Sequence, residues 1–261
     1  MRFFTLSDKG KVRPNNEDYA ESLAFQYCGP LGNKIELTAL IMADGMGGAA
    51  AGEFASMLAV QTVKENITRN LFEKQPEYLL NSDKTIFLEE CFVKANSAIY
   101  QKASENPDME GMGTTIVVAL VYRDSLALAH VGDSRCYRYR KNELNALTRD
   151  HSLVQEFVEA GRITAKEAFT HPQRNVITRA LGINDTTEVE RRNMVLEKGD
   201  LLLLCSDGLC GFVEDEGISQ VISAIYSEEG TDLELLANNL IKASYLNGAG
   251  DNVSVCLYQH Y

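Results

Sequence analysis

Two apolar runs in this chain stop abruptly at the same dipeptide. Residues 35–43 (IELTALIMA) end at Asp44-Gly45, and residues 201–205 (LLLLC) end, after Ser206, at Asp207-Gly208. A short continuous apolar run bounded by turn residues reads as a buried strand. Each run therefore presents a carboxylate at a strand tip, fixed in position but open at its head. The following glycine lets backbone approach a ligand closely. Two further motifs set acids among turn residues: Arg13-Pro14-Asn15-Asn16-Glu17-Asp18, and Gly250-Asp251-Asn252, which leads into a strand over 252–259.

The order of the remaining elements narrows the fold. A short strand is expected over 3–6, with a turn at Lys9-Gly10. Helical spacing of Phe54, Met57, Leu58, Val60, Val63 and Ile67 predicts a helix over 53–69, and a second spans 85–105. Strands follow over 114–122, 126–131 and 135–140, then a hairpin turn at Lys141-Asn142 before 143–147. Residues 150–180 are more polar, with short helices opened by Ser152 with Gln155 and by Thr164 with Glu167. Two more helices are expected over 215–227 and 232–246, the latter opened by Thr231 with Glu234. Strands come in runs and helices in pairs. That order predicts an α+β fold with antiparallel sheets flanked by helix pairs, and opposes a doubly wound parallel sheet. No repeat or linker interrupts the 261 residues, so one domain over 1–261 is expected.

Composition removes several function classes. A formal net charge of −12 opposes a broad nucleic-acid footprint. It also repels phosphorylated substrates, so a phosphate site would need local cations. None of the six cysteines forms a C-x-x-C pair, and they read as reduced core thiols of a cytosolic protein. No stretch approaches about 18 apolar residues, so no membrane span is expected, and the N-terminus lacks the apolar run of a signal peptide. A cytoplasmic monomer, or a domain cut from a longer chain, is the expectation.

Converging carboxylates make a hard-cation site, because Mg²⁺ and Mn²⁺ prefer oxygen ligands. Arg13 at a fixed offset from Glu17 and Asp18 suggests a phosphate. Any one of these motifs alone reads as a turn, since Asp-Gly and Asp-Asn are common turn dipeptides; the four together favour the metal site. Gly45-x-Gly47-x-x-Ala50, with Glu65 beyond it, also fits a dinucleotide fingerprint. Against that, Asp44 would face the pyrophosphate with negative charge, and βαβ alternation is missing. Of the four histidines, His130 reads as a core residue, His151 and His171 as structural residues flanking the polar segment, and His260 as solvated. There is no H-E-x-x-H pattern.

Taken in order, RPNNED, ADGMGG with AGEFAS after it, GMGTT at 111–115, HVGDSRCYRY at 130–139, TRDHS at 148–152, HPQRNVITRALG at 171–182, LLLLCSDGL at 201–209 and GAGDNVSV at 248–255 resemble the protein phosphatase 2C family over essentially the whole chain. The resemblance is to the compact bacterial type of these metal-dependent serine/threonine phosphatases. It implies a β-sandwich of two antiparallel sheets between helix pairs. It implies that Asp44 bridges two catalytic Mn²⁺ or Mg²⁺ ions, that Asp207 and Asp251 hold the first, and that the Gly45 carbonyl holds the second with support from Glu17 and Asp18. Arg13 would clamp the substrate phosphate, and Asp133 with Asp207 would bind a third, weaker ion. Residues 150–180 would form a flap beside the site. A hydroxide bridging the metals would attack phosphorus in line with the leaving serine or threonine oxygen. No cysteine has arginine six positions later, so a C-x5-R phosphatase loop is absent. The chain departs from the family at Met46, where many eukaryotic members carry a histidine, which leaves metal-bound water as the default proton donor. It departs again at Ala49, where bacterial members often carry histidine or asparagine. The implied partner is a phosphorylated protein, with a serine/threonine kinase or its targets behind it. An inactive scaffold of the same fold would normally lack a metal carboxylate, and here Asp44, Asp207 and Asp251 are all present.

Overall fold

The computed structural model describes residues 2–28, 34–72 and 82–261. Among them, β1 is Phe3–Asp8, β2 Asp18–Cys28, β3 Lys34–Met46, β4 Gly113–Thr114, β5 Ile116–Tyr122, β6 Ser125–Val131, β7 Arg135–Arg140, β8 Glu143–Ala146, β9 Glu190–Val195, β10 Leu201–Cys205 and β11 Val253–Gln259. The helices are α1 Ala49–Phe72, α2 Lys84–Glu105, α3 Leu153–Glu159, α4 Ala165–Phe169, α5 Asp207–Cys210, α6 Asp215–Ser223 and α7 Leu233–Leu246. One sheet runs β1-β11-β10-β7-β8 and the other β2-β3-β5-β6-β9, with β4 paired to the end of β3. The strand pairings are antiparallel.

The continuous apolar runs have a simple cause: each central strand is covered on both faces. Side chains alternate along a strand. Leu37, Ala39 and Ile41 of β3 therefore pack with Val60, Val63 and Ile67 of α1 and Leu88 and Phe92 of α2. Leu40 and Met42 point the other way and meet Leu202, Leu204 and Cys256 of the second sheet. Leu203 and Leu257 then pack outward on Ile218 and Ile222 of α6 and Leu236 and Leu240 of α7. The result is four layers, helix pair, sheet, sheet, helix pair. Such double burial gives antiparallel strands the continuous apolar reading more usual in parallel sheets.

Several boundaries differ from expectation. Helix α1 starts at Ala49 rather than 53, directly after Gly47 and Gly48, whose φ values of 117° and 90° make the turn that only glycine adopts readily; the Ala49 side chain lies outside the described residues. The strand expected over 114–122 is broken at Thr115, which is used elsewhere. Helix α6 ends at Ser223, short of 227, and Asp232 caps α7 by accepting from the Leu235 amide (2.9 Å). Thr231 instead accepts from the Ser227 amide (3.1 Å). Strands β2 and β9 were not expected at all: they are edge strands whose mostly half-exposed or exposed residues mix polar and apolar types and carry no long apolar run. His260 is buried rather than solvated, because the chain end stays paired beyond β11 and its ring meets Asp124 at 3.0 Å. The Lys141-Asn142 hairpin forms as expected, both residues having positive φ (52° and 65°).

Candidate active site

Antiparallel register brings the four acidic motifs to one edge of the sandwich. The start of β2 lies beside the end of β3, with Asp18 opposite Asp44. The end of β10 lies beside the start of β11, with Cys205 opposite Val255, so Asp207 follows one strand where Asp251 precedes the other. A bond between the two sheets closes the edge: Ser206 Oγ donates to Asp18 Oδ2 (2.8 Å) and accepts from the Ser254 amide (3.0 Å). Arg13, Glu17, Asp44, Gly45, Asp133, Asp207 and Asp251 all line one cleft of about 240 Å³. Asp18 does not line it; it is buried behind Asp44.

Thr115, the residue that breaks the strand, fixes Asp44. The Thr115 amide donates to the Asp44 carbonyl (2.9 Å), and the Asp44 amide donates to Thr115 Oγ1 (3.1 Å). Thr115 Oγ1 also shares a 2.8 Å hydrogen bond with Ser134 Oγ, beside Asp133. Gly45 and Gly52 explain why α1 can crowd this corner. A Cβ on Gly45 would stand 2.1 Å from the Gly52 carbonyl oxygen, and one on Gly52 would stand 2.2 Å from Glu17 Oε2.

Asn252 braces the Arg13–Asp18 loop. Its Oδ1 accepts from the Glu17 amide (2.8 Å), and its Nδ2 donates to the carbonyls of Lys9 (2.9 Å) and Asn15 (2.8 Å). Arg13 Nη2 donates to Asp251 Oδ2 at 2.6 Å, which raises the Arg13 pKa. Asn252, Ser206 and Thr115 hold the site together, and sequence reasoning gave none of them a role. The only signal was their adjacency to Asp251, Asp207 and the GMGTT string.

The electrostatics of the cleft are one-sided. Desolvation, and then the charges of Asp18, Asp207, Asp133 and Asp251, hold the Asp44 carboxyl well above the usual range. Desolvation and then Asp207 do the same to Asp133. Desolvation pushes Asp18 up to about 7 despite hydrogen bonds from serine hydroxyls. Desolvation, then Asp251, raises Asp207 to about 6, and Glu17 is also raised, first by desolvation. Asp18 Oδ1 and Asp207 Oδ1 are buried without a hydrogen-bond partner among the described residues. Buried polar atoms are otherwise almost always paired. Crowded carboxylates with unmatched oxygens and no nitrogen or sulfur ligand fit hard divalent cations.

The histidines stand apart from this cleft. His130 Nε2 bonds the Arg149 carbonyl (2.8 Å), and the His151 ring stacks on it at 4.7 Å. His151 Nδ1 accepts from the Gly132 amide (3.1 Å), and its Nε2 lies 3.5 Å from Glu190 and 3.4 Å from Arg179. This trio could gather round an ion, but the Arg179 guanidinium opposes a cation there. His171 accepts from the Gln173 amide (3.1 Å) in a turn.

A family model described as protein phosphatase 2C matches residues 27–241. The chain is 34% identical to the serine/threonine phosphatase stp of Listeria welshimeri, over 97% of this chain and 93% of that protein. It aligns with the crystal structure of the Mycobacterium tuberculosis serine/threonine phosphatase PstP/Ppp at a TM-score of 0.80 and 36% identity, covering 100% and 99% of the two chains. A PstP catalytic domain in complex with two manganese ions aligns at a TM-score of 0.79 and 35% identity, covering 99% and 97%.

Proposed function

Since the chain belongs to the protein phosphatase 2C family and is a metal-dependent protein serine/threonine phosphatase, we propose that the cleft around Asp44 is where it hydrolyses phosphoserine and phosphothreonine. The observation that supports this reading is the convergence of Asp44, Asp207 and Asp251 with Arg13, backed by two buried carboxylate oxygens without partners. Asp44 would bridge two Mn²⁺ or Mg²⁺ ions, with Asp207 and Asp251 on one and the Gly45 carbonyl and Glu17 on the other. Asp18 would act from behind, fixed by Ser206, and Asp133 with Asp207 would serve a third, weaker ion. Bound divalent ions supply Lewis acidity toward the phosphoryl oxygens and acidify a water nucleophile.

The protein's own residues do the rest. Arg13 spends one N–H on Asp251 and, among the described residues, leaves the remaining fork for phosphoryl oxygens. Thr115 and Asn252 hold Asp44 and the Arg13–Asp18 loop at fixed spacing, so the reacting groups meet already oriented. Met46 lines the cleft and has no proton to give, so this side chain is not the donor to the leaving oxygen.

The reading extends to a monomeric cytoplasmic enzyme, one domain with a flap over about 150–180, acting on proteins that a serine/threonine kinase has phosphorylated. No helix among the described residues is long and apolar enough to cross a membrane. Cys91, Cys136, Cys205, Cys210 and Cys256 are buried free thiols, which suits a reducing compartment. The test is hydrolysis of p-nitrophenyl phosphate after EDTA treatment, with and without Mn²⁺. Recovery in wild type but not in Asp44→Asn is expected. Equal recovery in both would remove Asp44 from the metal site.

A further inference from the structure

The catalytic cleft continues into a second, larger one. This neighbour encloses about 540 Å³ and shares Asp133, Asn175 and Asp207 with the first. One wall comes from α3 and α4 and is mainly apolar, with Val154, Val158 and Phe169 beside Gln155 and Lys166. The facing wall is the start of α6, with Glu214 and Glu216 exposed on it.

Most charges inside it are already matched. Arg135 donates to both oxygens of Asp150 (2.8 and 2.7 Å) and reaches Asp215 at 3.3 Å. Arg174 donates to the carbonyls of Phe169 (3.1 Å) and Gly211 (3.2 Å), tying the 150–180 segment to the body. Glu214 and Glu216 form no ion pair among the described residues. Acids in a first helical turn favour the helix dipole, yet Glu214 makes no capping hydrogen bond. What remains is a largely apolar wall with the exposed Lys166 at its α4 end, facing two acids without ion pairs among the described residues, on a protein of net charge −12.

We propose that this second cleft receives the substrate residues flanking the phosphoamino acid: an apolar side chain against Val154, Val158 and Phe169, and a lysine or arginine at Glu214 and Glu216. The proposal rests on the phosphatase reading and deepens it. An extended peptide advances about 3.3 Å per residue, so with the phosphate near Asp44 a side chain two or three positions away enters the neighbouring cleft. Unmatched acids on an acidic protein attract basic segments and set specificity through complementary charge.

The test uses Mn²⁺-loaded protein and matched phosphothreonine peptides, flanked on both sides by apolar plus basic, apolar plus acidic, or small polar plus basic residues. For wild type, kcat/KM should favour the apolar-basic peptide over the apolar-acidic one by about tenfold at low salt, the scale of one or two exposed charge pairs. Added NaCl should shrink that ratio. Glu214→Lys/Glu216→Lys should abolish or invert it, and Glu214→Gln/Glu216→Gln should reduce it. Both should hydrolyse p-nitrophenyl phosphate at the wild-type rate. Val158→Ser should lower kcat/KM for the apolar-flanked peptides alone. Equal rates on basic and acidic peptides by a wild type that hydrolyses p-nitrophenyl phosphate would overturn the subsite and leave the phosphatase reading standing. A preference that survives charge reversal would overturn it too. No hydrolysis of p-nitrophenyl phosphate by Mn²⁺-loaded wild type would overturn both.

Discussion

Asp44 is held through its backbone by Thr115 and surrounded through its side chain by other acids. Asp44→Asn therefore removes charge without removing shape. It should cost about 10³-fold or more in kcat, on the scale of lost electrostatic stabilisation in a preorganised site, with the melting temperature of the metal-free protein unchanged or higher. Asp207→Asn should behave alike, measured by Mn²⁺-dependent turnover beside a thermal melt. Near wild-type turnover in either would refute the metal assignment. Arg13 lines the half-exposed rim of the cleft, where its guanidinium is paired with Asp251. Arg13→Ala should mainly raise KM for a phosphopeptide, by about tenfold or more, since a charge-assisted hydrogen bond contributes about 1.5–3 kcal/mol. Steady-state kinetics showing an unchanged KM would count against the clamp.

At the scale of elements, the site depends on how closely α1 approaches the end of β3. The two glycines at that contact should respond differently. In Gly45→Ala the new methyl would meet the Gly52 carbonyl oxygen, and backbone cannot step aside cheaply. That overpacking should cost about 1–3 kcal/mol, read as a melting temperature lowered by about 2–4 °C per kcal/mol. In Gly52→Ala the nearest atom to the methyl is the end of the Glu17 side chain (2.2 Å), with Gly45 backbone at a tight but lesser 3.1 Å. The fold should survive nearly unchanged, while half-maximal activity should need more Mn²⁺. If both variants melted alike and kept wild-type Mn²⁺ dependence, Glu17 would not be part of the metal environment.

For the whole molecule, the acidic cleft makes stability depend on pH and metal together. In the metal-free fold Asp18 titrates at about 7 and Asp207 at about 6, against about 4 for an unfolded aspartate. Between those values the folded state binds more protons than the unfolded one, so metal-free stability falls as pH rises from about 4 to about 7. Divalent ions held by these carboxylates would bind the deprotonated forms and relieve their repulsion. Mn²⁺ should therefore raise the melting temperature more at pH 7.5 than at pH 5. Equal increments at the two pH values in a thermal shift assay would show that the raised acids lie outside the ion site.

The sequence alone determined the strand interiors and the identity of the acids. Residues 35–43 and 201–205 read as buried strands, and their Asp-Gly ends, with the Arg13–Asp18 and Gly250–Asn252 motifs, marked the carboxylates before any geometry was known. The local signals were strong because each depends on neighbouring residues: apolar run length, a turn dipeptide, a helical period. Strands β2 and β9 were illegible for the converse reason. Their place in a sheet comes from pairing with β3 and β6, and neither carries a continuous apolar run, the alternation of Tyr19, Leu23 and Phe25 in β2 being interrupted by Glu21. The same holds for Thr115, Ser206 and Asn252, small polar residues whose value appears only when register brings them beside Asp44, Asp18 and Glu17. Tertiary structure decided that Asp18 stands behind the cleft while Glu17 lines it, that His260 is buried, and that the cleft around Asp44 adjoins a second one. Each follows from antiparallel register, which gathers residues as far apart in sequence as Arg13 and Asp251, 238 positions, at one edge of the sandwich.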